Sequence, residues 1–363
     1  MSIHQHRPVQ AVIDSAAFKH NLAKVKDLAK RAKVIAVIKA DGYGHNMEVA
    51  AKYLLDADEF AVNSIDDVLR LRAAGIDKRL HLLSAVFDAE HLSMMSEQDV
   101  QPVIYEWEQL RLLEQLSPQA QLRIWIKVDT GMGRLGFLPD EMPELMRRID
   151  ACSGLAAFSL MSHLASADIP EHPSNRLQID LFQHLLADYP QFEAASLLNS
   201  AGIVSFSAAT AYDYIRPGLM LYGISPTVGK SAASLGLKPV MTLKSKLISV
   251  KRMPAGSPIG YGGTYLLDND SRIGIIACGY GDGYPRHASN ATPVLVNGML
   301  VPLIGRVSMD MLVVDLGEIQ ADVGDEAILW GADNPIEEVA QAAGTIAYEL
   351  CCGILPRVER VLV

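Results

Sequence analysis

The sequence predicts an α/β protein: a (β/α)8 TIM barrel followed by a mainly β C-terminal domain. Three observations predict it. Between residues 34 and about 222, short β-branched runs alternate eight times with helical patterns, the signature of right-handed βαβ units closing into a barrel. After Tyr222 the helical patterns nearly vanish and turn residues separate the apolar runs. The length of 363 residues is about twice a typical single domain, which leaves room for both parts.

The barrel strands are expected at Val34–Ile38, Phe60–Val62, Leu80–Leu83, Pro102–Tyr105, Leu122–Val128, Leu155–Met161, Ala195–Leu198 and Tyr212–Ile215. Between them, stretches such as Asp66–Ala74, Glu106–Gln115, Glu141–Ala151 and Arg176–Ala187 space their apolar residues three and four apart, as helices do. Ser225–Pro239 is rich in Ser, Gly and Pro and reads as a connection. Beyond it come Met241–Val250, Ile273–Ala277, Thr292–Val296, Met299–Ile304, Leu312–Leu316 and Ala327–Trp330, then one helical segment, Ile336–Ala343, and a last strand, Arg357–Val363. The domains are placed at 1–230 and 231–363, with the first residues free to pack on the β domain.

Composition narrows the function. With 32 Lys+Arg against 42 Asp+Glu the net charge is −10, which argues against a partner that needs a basic footprint, nucleic acid or an anionic membrane surface. No apolar run is long enough for a membrane helix, and Met1–Pro8 lacks the apolar core of a secretory signal. His4 and His6 in that segment are expected to bind nothing. Cys152, Cys278, Cys351 and Cys352 show no C-x-x-C spacing, so neither a disulfide framework nor a metal site is expected, and a reducing cytoplasm is the simplest home. Tyrosine is the commonest aromatic residue, 12 against 8 Phe and 3 Trp.

Chemistry is sought where barrel strands end, because that face carries the active sites of the fold. Lys39 follows five apolar residues and precedes Gly42-Tyr43-Gly44-His45; an amine held in a dry pocket there has a lowered pKa and becomes a nucleophile. Lys127 ends the fifth run and leads into a glycine-rich loop around Arg134, whose forked donor suits a carboxylate or phosphate. His163 ends the sixth, Asn199-Ser200-Ala201-Gly202 the seventh and Arg216-Pro217-Gly218-Leu219 the eighth; the last two loops occupy the usual phosphate position of the fold. In the β domain, Tyr261 lies between glycines, and Gly279–Arg286 with Tyr284, Gly305–Asp310 with Met309 and Asp310, and Ala347-Tyr348-Glu349 are further candidates. Gly279–Gly283 lacks G-x-G-x-x-G spacing and a crossover helix, and Asp268–Asp270 lacks the glycine and terminal Glu of a calcium loop, so neither a dinucleotide nor a metal is expected.

Taken in order, Ala36–His45, Lys127–Gly136, Asp213–Gly223, Ile259–Tyr265, Gly279–Arg286 and Gly305–Met311 closely resemble the bacterial alanine racemases, a family of pyridoxal 5'-phosphate enzymes built from a barrel and a β domain. The resemblance covers almost the whole chain. It implies interconversion of L- and D-alanine by two-base proton transfer at Cα, for peptidoglycan or for alanine breakdown, in a cytoplasmic homodimer with shared active sites. It makes Lys39 the lysine that carries the cofactor and the base on one face, and Tyr261, acting in trans, the base on the other. Tyr284, Met309 and Asp310 would also act in trans on the substrate. Arg134 would hold the cofactor's phenolic oxygen and the substrate carboxylate, and Lys127 matches a position carbamylated in many members. His163 would lie against the cofactor ring, Arg216 would face its pyridine nitrogen, Asn199 would bind the cofactor, and Tyr43, Ser200, Gly218, Leu219 and Tyr348 match the phosphate cradle.

The implied roles are chemically coherent. Racemisation needs a proton removed from one face and returned to the other, hence two bases across a flat cofactor. An Arg facing the pyridine nitrogen keeps its proton, so the ring remains a weak electron sink. Arg216 and Tyr261 weigh against an amino-acid decarboxylase of the same architecture, which would present a Glu and a Cys instead. A pyridoxal-phosphate carrier resembling the barrel alone would leave residues 236–363 without purpose. A racemase for serine or for several amino acids stays open.

Overall fold

The computed structural model describes residues 7–84 and 88–363; His4 and His6 lie outside the described residues. Eight parallel strands form a closed barrel: Lys33–Val37, Glu59–Val62, Leu80–Leu82, Val100–Ile104, Leu122–Lys127, Leu155–Met161, Ala195–Asn199 and Tyr214–Arg216. Closure comes from pairing of the eighth strand with the first, Lys33 opposite Tyr214 and Val34 opposite Ile215. Each expected run falls on one of these strands. The strands are apolar on both faces because helices cover the outside and side chains fill the inside.

The barrel interior is not uniformly apolar. His81 and Glu59 hydrogen-bond deep inside, and the Tyr214 hydroxyl donates to the same carboxylate at 3.2 Å. The Trp125 indole donates to Gln101 at 2.9 Å. These buried groups partner one another at the end of the barrel where the strands begin, far from the face that concerns function.

A second sheet of eight strands follows. Its long strand, Met241–Met253, pairs with Glu326–Trp330 on one side near its start and with Ser271–Ile276 nearer its end. Gln10–Ile13, at the other extreme of the chain, lies antiparallel to Met241–Met253 and parallel to Glu359–Leu362. The chain therefore lays its first strand in this sheet, leaves it through helix Ser15–Ala29, builds the barrel, and returns.

One element absent from the sequence reading matters for the site. Helix Ala347–Cys352 follows the expected helix Ile336–Ala343 and packs against the turn after Lys39. Gly44 is the point of closest approach: a β-carbon there would overlap the carbonyl oxygen of Cys351. Glycine is required at that contact both for space and for its φ of 77°.

Candidate active site

Lys39 begins a left-handed turn. The φ angles are 51° at Ala40, 54° at Asp41, 62° at Gly42, 52° at Tyr43 and 77° at Gly44. Residues with a β-carbon resist this conformation by roughly 1–2 kcal/mol each, so Ala40, Asp41 and Tyr43 hold it only because their surroundings fix it. Arg70 donates to the Asp41 carboxylate at 3.0 Å, the backbone N–H of Met47 donates to it at 3.2 Å, and Arg360 Nε donates to the Gly44 carbonyl at 3.1 Å. The sequence marked this stretch by its two glycines, yet nothing in Ala40, Asp41 or Tyr43 announces a left-handed run.

The turn opens into a cavity of about 570 Å³ at the C-terminal face of the barrel. Lys39, Tyr43, Lys127, Arg134, His163, Asn199, Ser200, Arg216, Gly218 and Tyr348 all line it. These residues come from five strand ends and from helix Ala347–Cys352, and each is among the candidates the sequence marks. Cys352, at the end of that helix, also lines the cavity and was missed. Its sequence signal was the adjacent Cys351, which is buried and does not line the cavity.

Local hydrogen bonds explain how the donors are presented. The Asp129 carboxylate accepts backbone N–H groups of Gly131 at 2.8 Å, Met132 at 2.7 Å and Arg134 at 3.0 Å, which shapes the glycine-rich loop and turns Arg134 toward the cavity. Burial alone would raise the Asp129 pKa, but these donors outweigh it and hold the carboxyl below its usual range. The buried Arg216 guanidinium donates to the Ser162 and Leu197 carbonyls and to the Ser196 hydroxyl, and among the described residues it has no carboxylate partner. Asn199 Nδ2 donates to His163 Nε2 at 3.2 Å, so the proton of that imidazole resides on Nδ1.

The cavity is strongly cationic. Burial lowers the Lys39 pKa, and Arg134 lowers it further. Burial, Arg216, Arg134 and Lys39 together push Lys127 down to about 8. Burial holds Arg216 down to about 9 without help from any neighbour, and burial next to Arg216 and Lys127 holds His163 well below its ordinary value, hence neutral. Among the described residues no carboxylate lines the cavity, so these four basic side chains constitute a site for an anion. Ser200 Oγ adds a neutral donor: it accepts N–H from Gly218 at 2.9 Å and from Met220 at 3.3 Å, leaving its own proton uncommitted.

The β-domain candidates lie elsewhere. Tyr261 is 69% exposed on a glycine turn, and Met309 is 54% exposed. Asp310 pairs with Arg357 at 2.8 Å. None of the three lines this chain's cavity. Leu219 is buried outside it, directly after Gly218. Tyr284 requires a correction: it is 1% exposed, its ring stacks on Trp330 with centroids 6.1 Å apart, and its hydroxyl is enclosed. Gly283, with φ 100°, turns the chain so that this ring enters the domain core instead of facing substrate. The accessible tyrosine of the segment is Tyr280, 37% exposed, whose N–H donates to the Ser308 carbonyl at 3.0 Å beside Met309. Its signal was present in the sequence, since Tyr280, like Tyr261, is flanked by glycines.

A lysine at the end of the first barrel strand, an anion site at the last two and a β domain bearing an exposed tyrosine define a barrel enzyme of amino-acid racemase type. Residues 13–226 match the family model "Alanine racemase, N-terminal domain", and residues 240–362 match "Alanine racemase, C-terminal domain". The alanine racemase of Aeromonas hydrophila is 47% identical over 350 residues, covering 96% of this chain and 97% of that protein. The biosynthetic alanine racemase of Pseudomonas aeruginosa superposes with a TM-score of 0.93 at 40% identity, covering 98% of this chain and 99% of that one. The structure of alanine racemase from Bartonella henselae with covalently bound pyridoxal phosphate superposes with a TM-score of 0.88 at 28% identity, covering 98% and 99%. The chain belongs to the alanine racemase family, and it is an isomerase.

Proposed function

We propose that the chain interconverts L- and D-alanine with pyridoxal phosphate held in the barrel cavity, and that two copies complete each other's sites. The cavity chemistry fits the cofactor: it offers an amine with a lowered pKa, cations without carboxylate partners, and the free Ser200 proton close to the N–H groups after strands seven and eight. When bound, pyridoxal phosphate supplies an electron-withdrawing ring that acidifies the Cα–H of an amino acid joined to it.

The residues of this chain then divide the work. Lys39 Nζ, its pKa lowered by burial and by Arg134, takes or returns the Cα proton on one face. Tyr261 Oη of the second copy does the same on the other. Arg134 binds the substrate carboxylate. Arg216, its pKa lowered by burial to about 9 and so still protonated at neutral pH, would face the ring nitrogen and would leave the ring a weak electron sink. Neutral His163 would lie against the ring, Tyr43, Ser200, Gly218, the backbone of Leu219 and Tyr348 would hold the phosphate, and Asn199, which donates to His163, would hold that imidazole against the cofactor. A carbamate on Lys127 would hold the Arg134 guanidinium in place. Met309 and Asp310 of the second copy, with Tyr280 in place of Tyr284, close over the substrate. Four free cysteines and the absence of any helix long and apolar enough to cross a membrane among the described residues support a reducing cytoplasm as the setting.

The observation that carries this reading is that one base lies in the cavity while the other candidate is exposed outside it. Mixing inactive Lys39→Ala with inactive Tyr261→Phe tests it. Refolded mixtures contain heterodimers with one doubly defective and one intact site, so about a quarter of wild-type activity should return. No return of activity would refute shared sites.

A further inference from the structure

His45 does not line the cavity and takes no part in the steps above, yet it is completely buried at the end of the left-handed turn. Its Nδ1 lies 2.8 Å from the carbonyl oxygen of Tyr43 and 3.1 Å from that of Gly42. Two acceptors at one ring nitrogen place the proton on Nδ1, donating to both. Burial pushes the imidazole pKa down to about 4, so the ring is neutral at physiological pH. The charged neighbours are Arg360, which donates to the Gly44 carbonyl, and Asp41 on the turn itself.

The ring is also fixed sideways. It packs 4.7 Å from the ring of Tyr222 and 6.2 Å from that of Phe18. Tyr222 in turn lies 4.8 Å from the ring of Tyr43, and its hydroxyl donates to the Val37 carbonyl at 3.1 Å, two residues before Lys39. The imidazole and Tyr222 thus hold the turn from both ends. A run that includes Ala40, Asp41 and Tyr43 at positive φ relaxes unless donors outside the run hold its carbonyls.

We propose that His45 is a positioning residue for the reaction: by donating from Nδ1 to the carbonyls of Gly42 and Tyr43, it locks the left-handed turn and so sets the Lys39 amine and the Tyr43 hydroxyl at a fixed separation. The inference rests on Lys39 being the reacting amine. Borohydride reduction of the wild-type holoenzyme tests that separately, because labelling of another lysine removes the premise whatever His45 does.

His45→Asn keeps an N–H at the place of Nδ1, and His45→Leu fills the volume without a donor. In the holoenzyme, His45→Asn should retain kcat and the pH profile of kcat/KM. His45→Leu should lose about 10- to 100-fold in kcat with little change in KM. It should also shift the acidic limb of that profile, release pyridoxal phosphate faster on dialysis and speed backbone amide exchange at residues 42–45. Wild-type kcat, profile and cofactor retention in His45→Leu would overturn the proposal. So would equal losses in both variants that follow thermal stability with the profile unmoved, which is the behaviour of a space-filling ring. Nitrogen NMR of the wild-type imidazole needs no variant: a slowly exchanging Nδ1 proton is expected, and a proton on Nε2 would refute the donor role.

Discussion

Ser200 accepts the backbone N–H of Gly218 at 2.9 Å, tying the end of the seventh barrel strand to the end of the eighth. The same oxygen accepts from Met220, so both of its lone pairs are used and its proton is free for an anion. Ser200→Ala removes that donor and leaves two N–H groups without their acceptor. Pyridoxal phosphate affinity should fall about tenfold, or about 1.4 kcal/mol, while kcat of the saturated enzyme stays near wild type. Titration of the apoenzyme with the cofactor measures this, and an unchanged Kd would take Ser200 out of the cradle.

Lys127 has an amine whose pKa is pushed down to about 8 by burial and by Arg216, Arg134 and Lys39. At pH 7 roughly a tenth of such an amine is neutral, against fewer than one in a thousand for an ordinary lysine. Only the neutral amine adds carbon dioxide, and the resulting carbamate would face three cations instead of adding a fourth. Enzyme stripped of carbon dioxide should therefore regain activity on addition of bicarbonate. The gain should shrink as pH falls further below 8, because protonation then removes the reactive amine. Carbon-13 NMR with labelled bicarbonate should show a carbamate signal that Lys127→Ala lacks; the same signal in both proteins would assign it elsewhere.

Asp282 is enclosed between two guanidinium groups, Arg7 at 2.8 Å and Arg357 at 2.8 Å, and also accepts the Gly279 N–H at 3.0 Å. Arg357 continues to Asp310 at 2.8 Å. The cluster braces the segment between Gly279 and Asp282 against the segment that bears Met309 and Asp310. Asp282→Asn should cost about 2 kcal/mol, less than for a fully buried pair because both arginines keep contact with water. Thermal unfolding reads the loss, and steady-state kinetics should show a raised KM for alanine. A raised KM without loss of stability, or the reverse, would separate the cluster's two roles.

Much of the architecture was legible because the barrel writes itself as apolar runs of regular spacing, and its chemistry lies where those runs stop. Lys39, Lys127, His163, Asn199 and Arg216 were visible by that rule alone, and the structure gathers them around one cavity. What escaped depends on long-range approach. Cys352 reaches the cavity through helix Ala347–Cys352, whose position is set by a contact with Gly44 some three hundred residues earlier in the chain. The exchange of Tyr284 for Tyr280 has a different cause: two tyrosines share one turn, and the one that packs inward does so against Trp330, a partner distant in sequence. The sequence allowed the first residues to pack on the β domain, but that Gln10–Ile13 forms a strand between two others there cannot be read from local pattern, since an edge strand and a central strand of four residues look alike.

That pairing has a consequence for the order of assembly. Gln10–Ile13 emerges early in synthesis, but its two neighbours, Met241–Met253 and Glu359–Leu362, emerge only after every barrel strand. The segment cannot complete its pairing until the end of the chain has been made, so the sheet that frames it cannot be complete before then. Helix Ala347–Cys352 arrives with that late piece, so a nascent chain has a finished barrel mouth still lacking Tyr348 and Cys352 along its wall. One side of the cavity wall is therefore contributed by the last segment of the chain to be made.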